Sequence, residues 1–163
     1  MTHLQRIFLL RHAEAMPAQK GQTDFDRCLS AQGLHQAANI GTIIGQDYQR
    51  PAKVLLSPSK RTSQTVETLQ LFDQSDLIFI DDLYDGGPQD YLNTVKNHSQ
   101  YESVLLVGHN PSIFALLQFL AAPKSKIKLP YSYPTAGLAV LDFAKDETEF
   151  NHHCGNLLAF HQP

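Results

Sequence analysis

Two short stretches of the chain carry residues that can do chemistry. Arg11-His12 closes the apolar run Ile7 to Leu10, and Gly108-His109 closes the apolar run Ser103 to Val107. An apolar run that ends abruptly in polar residues is how a buried parallel strand looks at the carboxyl edge of a sheet, where open α/β folds bind ligands. A charged strand end is an ordinary feature, so Arg11-His12 alone says little. Its repetition far downstream suggests one pocket holding two imidazoles, and histidine is a competent nucleophile toward phosphorus.

A third stretch adds anion-binding groups. Ser57-Pro58 reads as a helix N-cap followed by proline at the first helical position, which places Arg61 one turn into that helix. Free N–H groups at a helix start attract anions, and guanidiniums match phosphate oxygens in bidentate fashion. Arg11, Arg61, His12 and His109 at one sheet edge describe a phosphoryl site better than a carboxylate site.

The elements that must position these residues follow from periodicity. Strands are expected at residues 4–10, 52–56, 77–80 and 103–108. The polar stretch Pro17 to Arg27 has no helical period and reads as a long loop directly after His12. Ser30 reads as the cap of a helix reaching Tyr48, with Leu34, Ala37, Ala38, Gly41 and Ile44 on its buried face. A helix after Ser57 carries Val66, Leu69 and Phe72 inward, and a shorter one carries Tyr91, Leu92 and Val95. Asn110-Pro111 reads as a second cap and N1 proline, opening an apolar helix to Ala122. Lys124 to Pro134 is a basic, proline-punctuated loop, and residues 137–143 and 156–161 close the chain as two strands. Strands alternating with helices, then a terminal strand pair, predict a three-layer α/β/α sandwich around a mostly parallel sheet with an antiparallel edge strand.

Bulk properties narrow the class. With 163 residues, 42% hydrophobic and 18% charged, the chain suits one globular domain over residues 1–163. A net charge of -3 gives no basis for nucleic-acid binding. Cys28 and Cys154 fit no metal or redox spacing, so reduced thiols are expected. No signal peptide or membrane-length segment is visible, which points to a cytoplasmic protein, and a monomer is expected.

This ordered set resembles the histidine phosphatase superfamily, which includes phosphoglycerate mutases and acid phosphatases. The family's Arg-His-Gly signature stands here as Arg11-His12-Ala13, with alanine for glycine. Its Ser-x-x-x-Arg-x-x-Gln-Thr motif is matched by Ser57, Arg61, Gln64 and Thr65, and its Gly-His element by Gly108-His109. Asp26-Arg27-Cys28-Leu29-Ser30-x-x-Gly33 is similar to the Arg-Pro-Leu-Thr-x-x-Gly element of the small SixA-type phosphohistidine phosphatases, with Cys28 for proline and Ser30 for threonine.

The resemblance implies a two-step mechanism. Neutral His12 attacks phosphorus, and water hydrolyses the resulting phosphohistidine. Arg11, Arg61 and a protonated His109 hold the equatorial oxygens, and Arg27 is a further contact. No metal or other cofactor is implied, because arginines supply the positive charge. For the leaving group's proton, Asp85 in Leu83-Tyr84-Asp85 is the first choice and Glu14 the second. A turn aspartate and a solvated carboxylate are their plain readings. With a phosphoramidate substrate, neither would be critical.

The remaining residues have structural readings. Ser57 is expected to serve as a cap, Gln64 and Thr65 to brace the site, and Thr135 to donate to phosphate from its edge. His3, His35, His98, His152, His153 and His161 match no zinc template, and His152-His153 on a strand would face opposite ways. Lys124, Lys126 and Lys128 read as a solvated loop, with steering of an acidic partner as the alternative. The expected substrate is a phosphorylated protein, such as a histidine-phosphotransfer domain, or a small phosphorylated metabolite. Two further readings stay open: a mutase, and a non-catalytic module that binds a phosphorylated ligand.

Overall fold

The computed structural model describes residues 3–163. Six strands form one sheet: β1 (Arg6–Arg11), β2 (Lys53–Leu56), β3 (Leu77–Phe79), β4 (Ser103–Gly108), β5 (Leu138–Asp142) and β6 (Asn156–His161). Their order across the sheet is β3-β2-β4-β1-β5-β6. The first four run parallel; β5 pairs antiparallel with β1, and β6 pairs antiparallel with β5. The antiparallel part therefore has two strands, with the reversed one lying inside the sheet and β6 at the rim.

Period-two alternation loads both faces of the sheet, so each needs a helical cover. Leu9, Leu55, Leu106 and Leu141 point to one layer, together with α4 (Pro88–Asn97) and α5 (Ser112–Leu120). Phe8, Leu10, Val54, Leu56 and Val107 point to the other, against α1 (Ala31–Asp47) and α2 (Lys60–Leu69). A short helical turn, α3 (Asp82–Asp85), follows β3. The rim strand is not left bare. Ile127 donates its N–H to the Leu157 carbonyl, and Leu157 donates to the Ser125 hydroxyl, so the basic loop runs along β6 and blunts its free edge. The side chains of Lys124, Lys126 and Lys128 stand in solvent.

Helix starts depart from expectation in an instructive way. Ser30 caps α1, accepting from the Gly33 N–H at 3.0 Å. The buried face of α1 is Gly33, Ala37, Ile40, Gly41 and Ile44, whereas Leu34 and Ala38 are exposed. Gly33 abuts the Glu14 backbone and Gly41 the Leu69 backbone, closer than any Cβ would allow, so the glycines decide which stripe turns inward. Ser57 does not cap α2; Ser59 occupies that position and the helix begins at Lys60. Thr62 Oγ1 donates to the carbonyls of Ser57 and Ser59, tying down the bend between strand and helix. Asn110 likewise does not cap α5; Pro111, after a cis peptide bond, holds the N-cap position. Both hydroxyl- and amide-bearing residues before proline are thereby released for other partners.

His152 and His153 lie in the turn before β6, not on a strand, with ring centroids 3.5 Å apart. Cys28 and Cys154 are both free thiols. Among the described residues, no helix is long and apolar enough to cross a membrane.

Candidate active site

Strand register brings the chemistry together. Arg11 pairs with Gly108 across β1 and β4, so the next residues, His12 and His109, leave adjacent parallel strands at the same edge. Their ring centroids are 5.1 Å apart, and each residue is 8% exposed. β2 is the neighbour of β4 on the other side, and Ser57 donates its N–H to the Val107 carbonyl at this edge. Arg61, in the first turn of α2, reaches over from there and is 7% exposed.

The hydrogen bonds decide which nitrogen does what. His12 Nδ1 lies 2.7 Å from the Ala13 carbonyl, which can only accept, so Nδ1 carries the proton. Nε2 keeps its lone pair. Burial, with Arg61 and Arg11 adding to it against the Ala13 hydrogen bond, pushes His12 down to about 4. The ring is therefore neutral at physiological pH and presents an unprotonated Nε2, which is what a nucleophile requires.

His109 is oriented with equal definition. Arg61 Nη2, a pure donor, lies 3.3 Å from Nδ1, so Nε2 carries the proton and donates to Ser57 Oγ at 2.9 Å. Its own N–H donates to Tyr91 Oη at 2.9 Å, and that hydroxyl donates to the Leu83 carbonyl. The Tyr91 ring lies against Gly108 where any Cβ would sit, which is the physical reason for glycine before this histidine. His109 is expected to be protonated while it holds phosphoryl oxygens. In the free protein burial, His12 and Arg61 push it down to about 3, so it is neutral before an anion arrives. An arriving dianion would raise it, because an opposite charge nearby favours the imidazolium. Ser57 was expected to cap a helix; its hydroxyl serves His109 instead.

The arginines are held but not satisfied. Arg11 Nη1 donates to the Tyr133 carbonyl at 2.8 Å, and Asn110 Nδ2 donates to the same oxygen at 2.9 Å. Burial, followed by the charge of Arg61, lowers Arg11 from its ordinary value. The Nε groups of Arg11 and Arg61 are both buried without a hydrogen-bond partner. Folded proteins rarely leave buried donors unmatched, and two in one site suit an anion that arrives from outside.

Two residues of the Ser57 to Thr65 motif tie down the chain that follows β1. Thr65 Oγ1 accepts from the Ala13 N–H, and Gln64 Oε1 accepts from the Leu29 N–H, so α2 pins both ends of the long loop. Ala13 is fully buried within the α1–α2 layer, where its methyl group packs among apolar neighbours. Arg27 donates to the Met16 carbonyl and to Asp24 Oδ1. The Glu14 carboxylate accepts from the Ser30 hydroxyl at the start of α1. Asp85 is exposed at the end of α3 and forms no side-chain hydrogen bond; its neighbour Tyr84 turns toward the site, with its ring 5.9 Å from that of His109. Thr135 is half-buried beside Ala136, whose N–H donates to the carbonyls of Arg11 and His12.

Sequence reasoning missed three residues. Asp24, in a 3₁₀ turn at Asp24–Asp26, bonds Arg61, Arg27 and Tyr84 together. Its place in Asp24-Phe25-Asp26-Arg27, beside an arginine already singled out, was the available signal. Tyr84 stands next to the candidate Asp85 in Leu83-Tyr84-Asp85, which was the available signal. Tyr91 was expected only as an inward residue of its helix; its hydroxyl's bond to the His109 N–H depends on α4 crossing the end of β4.

Comparison with known proteins bears on the fold and the family. Residues 7–85 match the model of the histidine phosphatase superfamily, branch 1. The chain is 33% identical, at a TM-score of 0.83, to the crystal structure of a candidate phosphohistidine phosphatase SixA from Agrobacterium tumefaciens, covering 99% of this chain and 100% of that one. The protein histidine phosphatase SixA complexed with tungstate shares the fold at a TM-score of 0.79 and 20% identity, with 96% of each chain covered. An uncharacterized protein of Mycobacterium tuberculosis is 27% identical over 161 residues, covering 94% of this chain and 99% of the relative. Agreement that runs the length of the chain, beyond the strand-end motifs, places it: the chain belongs to the histidine phosphatase superfamily.

Proposed function

We propose that the protein is a metal-independent phosphatase that works through a phosphohistidine on His12 and acts on phosphohistidine in proteins. The observation that carries this reading is the His12 ring. Its Nδ1–H is committed to the Ala13 carbonyl, so its free Nε2 is available for in-line attack beside two guanidiniums.

The steps follow from the groups present. His12 Nε2 forms a bond to phosphorus as the bond to the leaving group breaks. Arg11, Arg61 and a His109 protonated on anion binding offset charge on the three equatorial oxygens. Water then attacks the phosphohistidine, releasing inorganic phosphate and restoring His12. Arg11, Arg27 and Arg61 against Asp24 leave two net positive charges around neutral histidines, which complement a phosphoryl dianion.

Two considerations favour protein phosphohistidine as substrate. Asp24, the carboxylate bonded to Arg61 beside these rings, is held at about 2, its burial outweighed by hydrogen bonds from Arg27 and Tyr84, so it is ionised and cannot act as an acid. Imidazole leaves phosphorus more easily than an alkoxide does and needs less proton donation. The relative from Agrobacterium tumefaciens carries the phosphohistidine phosphatase name. Asp85 and Glu14 are then dispensable, whereas Arg27 contributes through its place beside Arg61. A small phosphate ester is the alternative substrate. A mutase and a non-catalytic binding module are the alternative roles.

The test is a panel of phosphohistidine protein, sugar phosphates, nucleotides and phosphoglycerate, run with and without chelator. The expected outcome is chelator-insensitive turnover of phosphohistidine protein and an acid-labile phosphoenzyme, both abolished in His12→Ala. Chelator-sensitive activity, or full activity in His12→Ala, would refute the mechanism. Phosphoglycerate isomerisation would establish a mutase, and tight phosphate binding without phosphoenzyme a binding module.

A further inference from the structure

Asp24 is the residue at the site whose contacts the proposed mechanism leaves unused. Its Oδ2 accepts from Arg61 Nη2 at 3.2 Å and from the Tyr84 hydroxyl at 2.9 Å, and its Oδ1 accepts from Arg27 Nη1 at 3.0 Å. Its backbone carbonyl takes the other end of the Arg61 fork, Nη1, at 2.9 Å. Arg61 is thus gripped through both terminal nitrogens by one residue, and the second nitrogen also touches His109. Phe25, next in the chain, stands edge-on to the Tyr84 ring with centroids 5.1 Å apart. The Arg61 guanidinium lies 6.0 Å above that ring. The loop after β1 and the turn α3 are therefore joined at the mouth of the site.

We propose that Asp24 is a positioning residue which, with Tyr84, aims Arg61 at the phosphoryl group and sets the anion affinity of the pocket. The inference rests on the phosphatase reading for its effect on turnover, but its effect on binding does not depend on that reading. Two consequences have opposite signs. The carboxylate repels an incoming oxyanion and occupies guanidinium N–H groups that would otherwise reach it, so it weakens ground-state binding. The same contacts hold the fork in one orientation, so they favour the transition state, where misplacement is expensive. The charge of Asp24 also favours the protonated form of His109, against His12, Arg61 and Arg11. A residue with only a structural role would produce neither the tightening nor the split between binding and turnover.

The experiment compares wild-type protein with Asp24→Asn, Tyr84→Phe and the control Asp26→Asn. The Asp26 carboxylate accepts from the Thr23 hydroxyl and touches no arginine. Two quantities are read: the affinity for inorganic phosphate by calorimetry, and kcat and KM on phosphohistidine protein. Asp24→Asn is expected to bind phosphate about five- to tenfold more tightly and to lose about tenfold or more in kcat. Tyr84→Phe should move both quantities the same way by less, and it carries the test if Asp24→Asn does not fold. Asp26→Asn should match wild type in both. Unchanged or weaker phosphate binding in Asp24→Asn and Tyr84→Phe would overturn the proposal, as would tighter binding with kcat intact. If the wild-type protein shows no turnover, the phosphatase reading fails, and the phosphate affinities still decide whether Asp24 opposes the anion.

Discussion

One strand carries an arginine at each end, and the two have opposite fates. Arg6 opens β1 at the amino edge of the sheet, where Nε and Nη2 both donate to Asp142, at 2.6 and 2.8 Å. That hydrogen bond raises Arg6 above its ordinary value. Arg11 closes the same strand at the carboxyl edge, with a carbonyl for a partner, an unmatched Nε and a second guanidinium nearby that helps lower it. A cavity of about 480 Å³ lies at the Arg6 end and is lined by residues including Arg6, Arg50, Glu102 and Asp142, whose charges are mixed. A cavity with mixed, paired charges does not by itself make a site. What identifies the site is positive charge that the fold buries and declines to neutralise, since such charge is costly unless a ligand completes it.

The contrast breaks most sharply by exchanging stability for activity. Arg11→Ala is expected to lower kcat/KM by about a hundred- to a thousandfold, with no loss in unfolding free energy, because it removes a buried charge that lacks a full partner. Arg6→Ala should do the reverse: kcat within about twofold of wild type and a loss of ~1 kcal/mol or less, its ion pair being partly solvated. Steady-state kinetics and urea unfolding on both variants check this. Equal effects on activity at the two ends would remove the distinction.

Acid sharpens the same comparison through the histidines. His12 at about 4 and His109 at about 3 stay neutral when folded, whereas the unfolded chain takes up these protons near 6.5. Their contribution to stability is therefore complete above pH 6.5. It is lost progressively as pH falls toward the folded values, at up to about 1.4 kcal/mol per pH unit for each ring. Unfolding midpoints at pH 7 and pH 5 should differ less in His12→Gln and His109→Gln than in wild type. Identical pH slopes would show that the rings are not held neutral.

A smaller effect is expected one layer out. Tyr91→Phe deletes the hydroxyl that accepts from the His109 N–H and donates to Leu83, leaving both groups buried without that partner. It should cost about 1 kcal/mol of stability and only a few-fold in kcat. A loss as large as that of Arg11→Ala would mean that Tyr91 does more than hold the strand end.

Much of this was legible in the residues because period-two apolar runs and their polar ends are local signals. The strands, the sandwich, the strand-end histidines and the bracing by Gln64 and Thr65 all follow from local pattern or from the family's motifs. The helix starts at Ser57 and Asn110 did not, since a cap competes with tertiary partners for the same polar group. Ser57 is taken by His109 and Asn110 by the Tyr133 carbonyl. On α1 the expected Ala37, Gly41 and Ile44 are buried, whereas Gly33 and Ile40 turn inward in place of Leu34 and Ala38, because close contacts of Gly33 and Gly41 with distant backbone outweigh the pull of Leu34.

The sequence by itself determined which groups were available: two imidazoles at strand ends, arginines in defined contexts and apolar runs that had to be buried. Only the tertiary structure decided their states. Strand order set His12 beside His109, burial among guanidiniums left both neutral, and a chain of hydrogen bonds through Ala13, Ser57 and Arg61 chose their tautomers. Protonation and orientation depend on the dielectric and charges within a few ångströms, and residues far apart in the chain supply those.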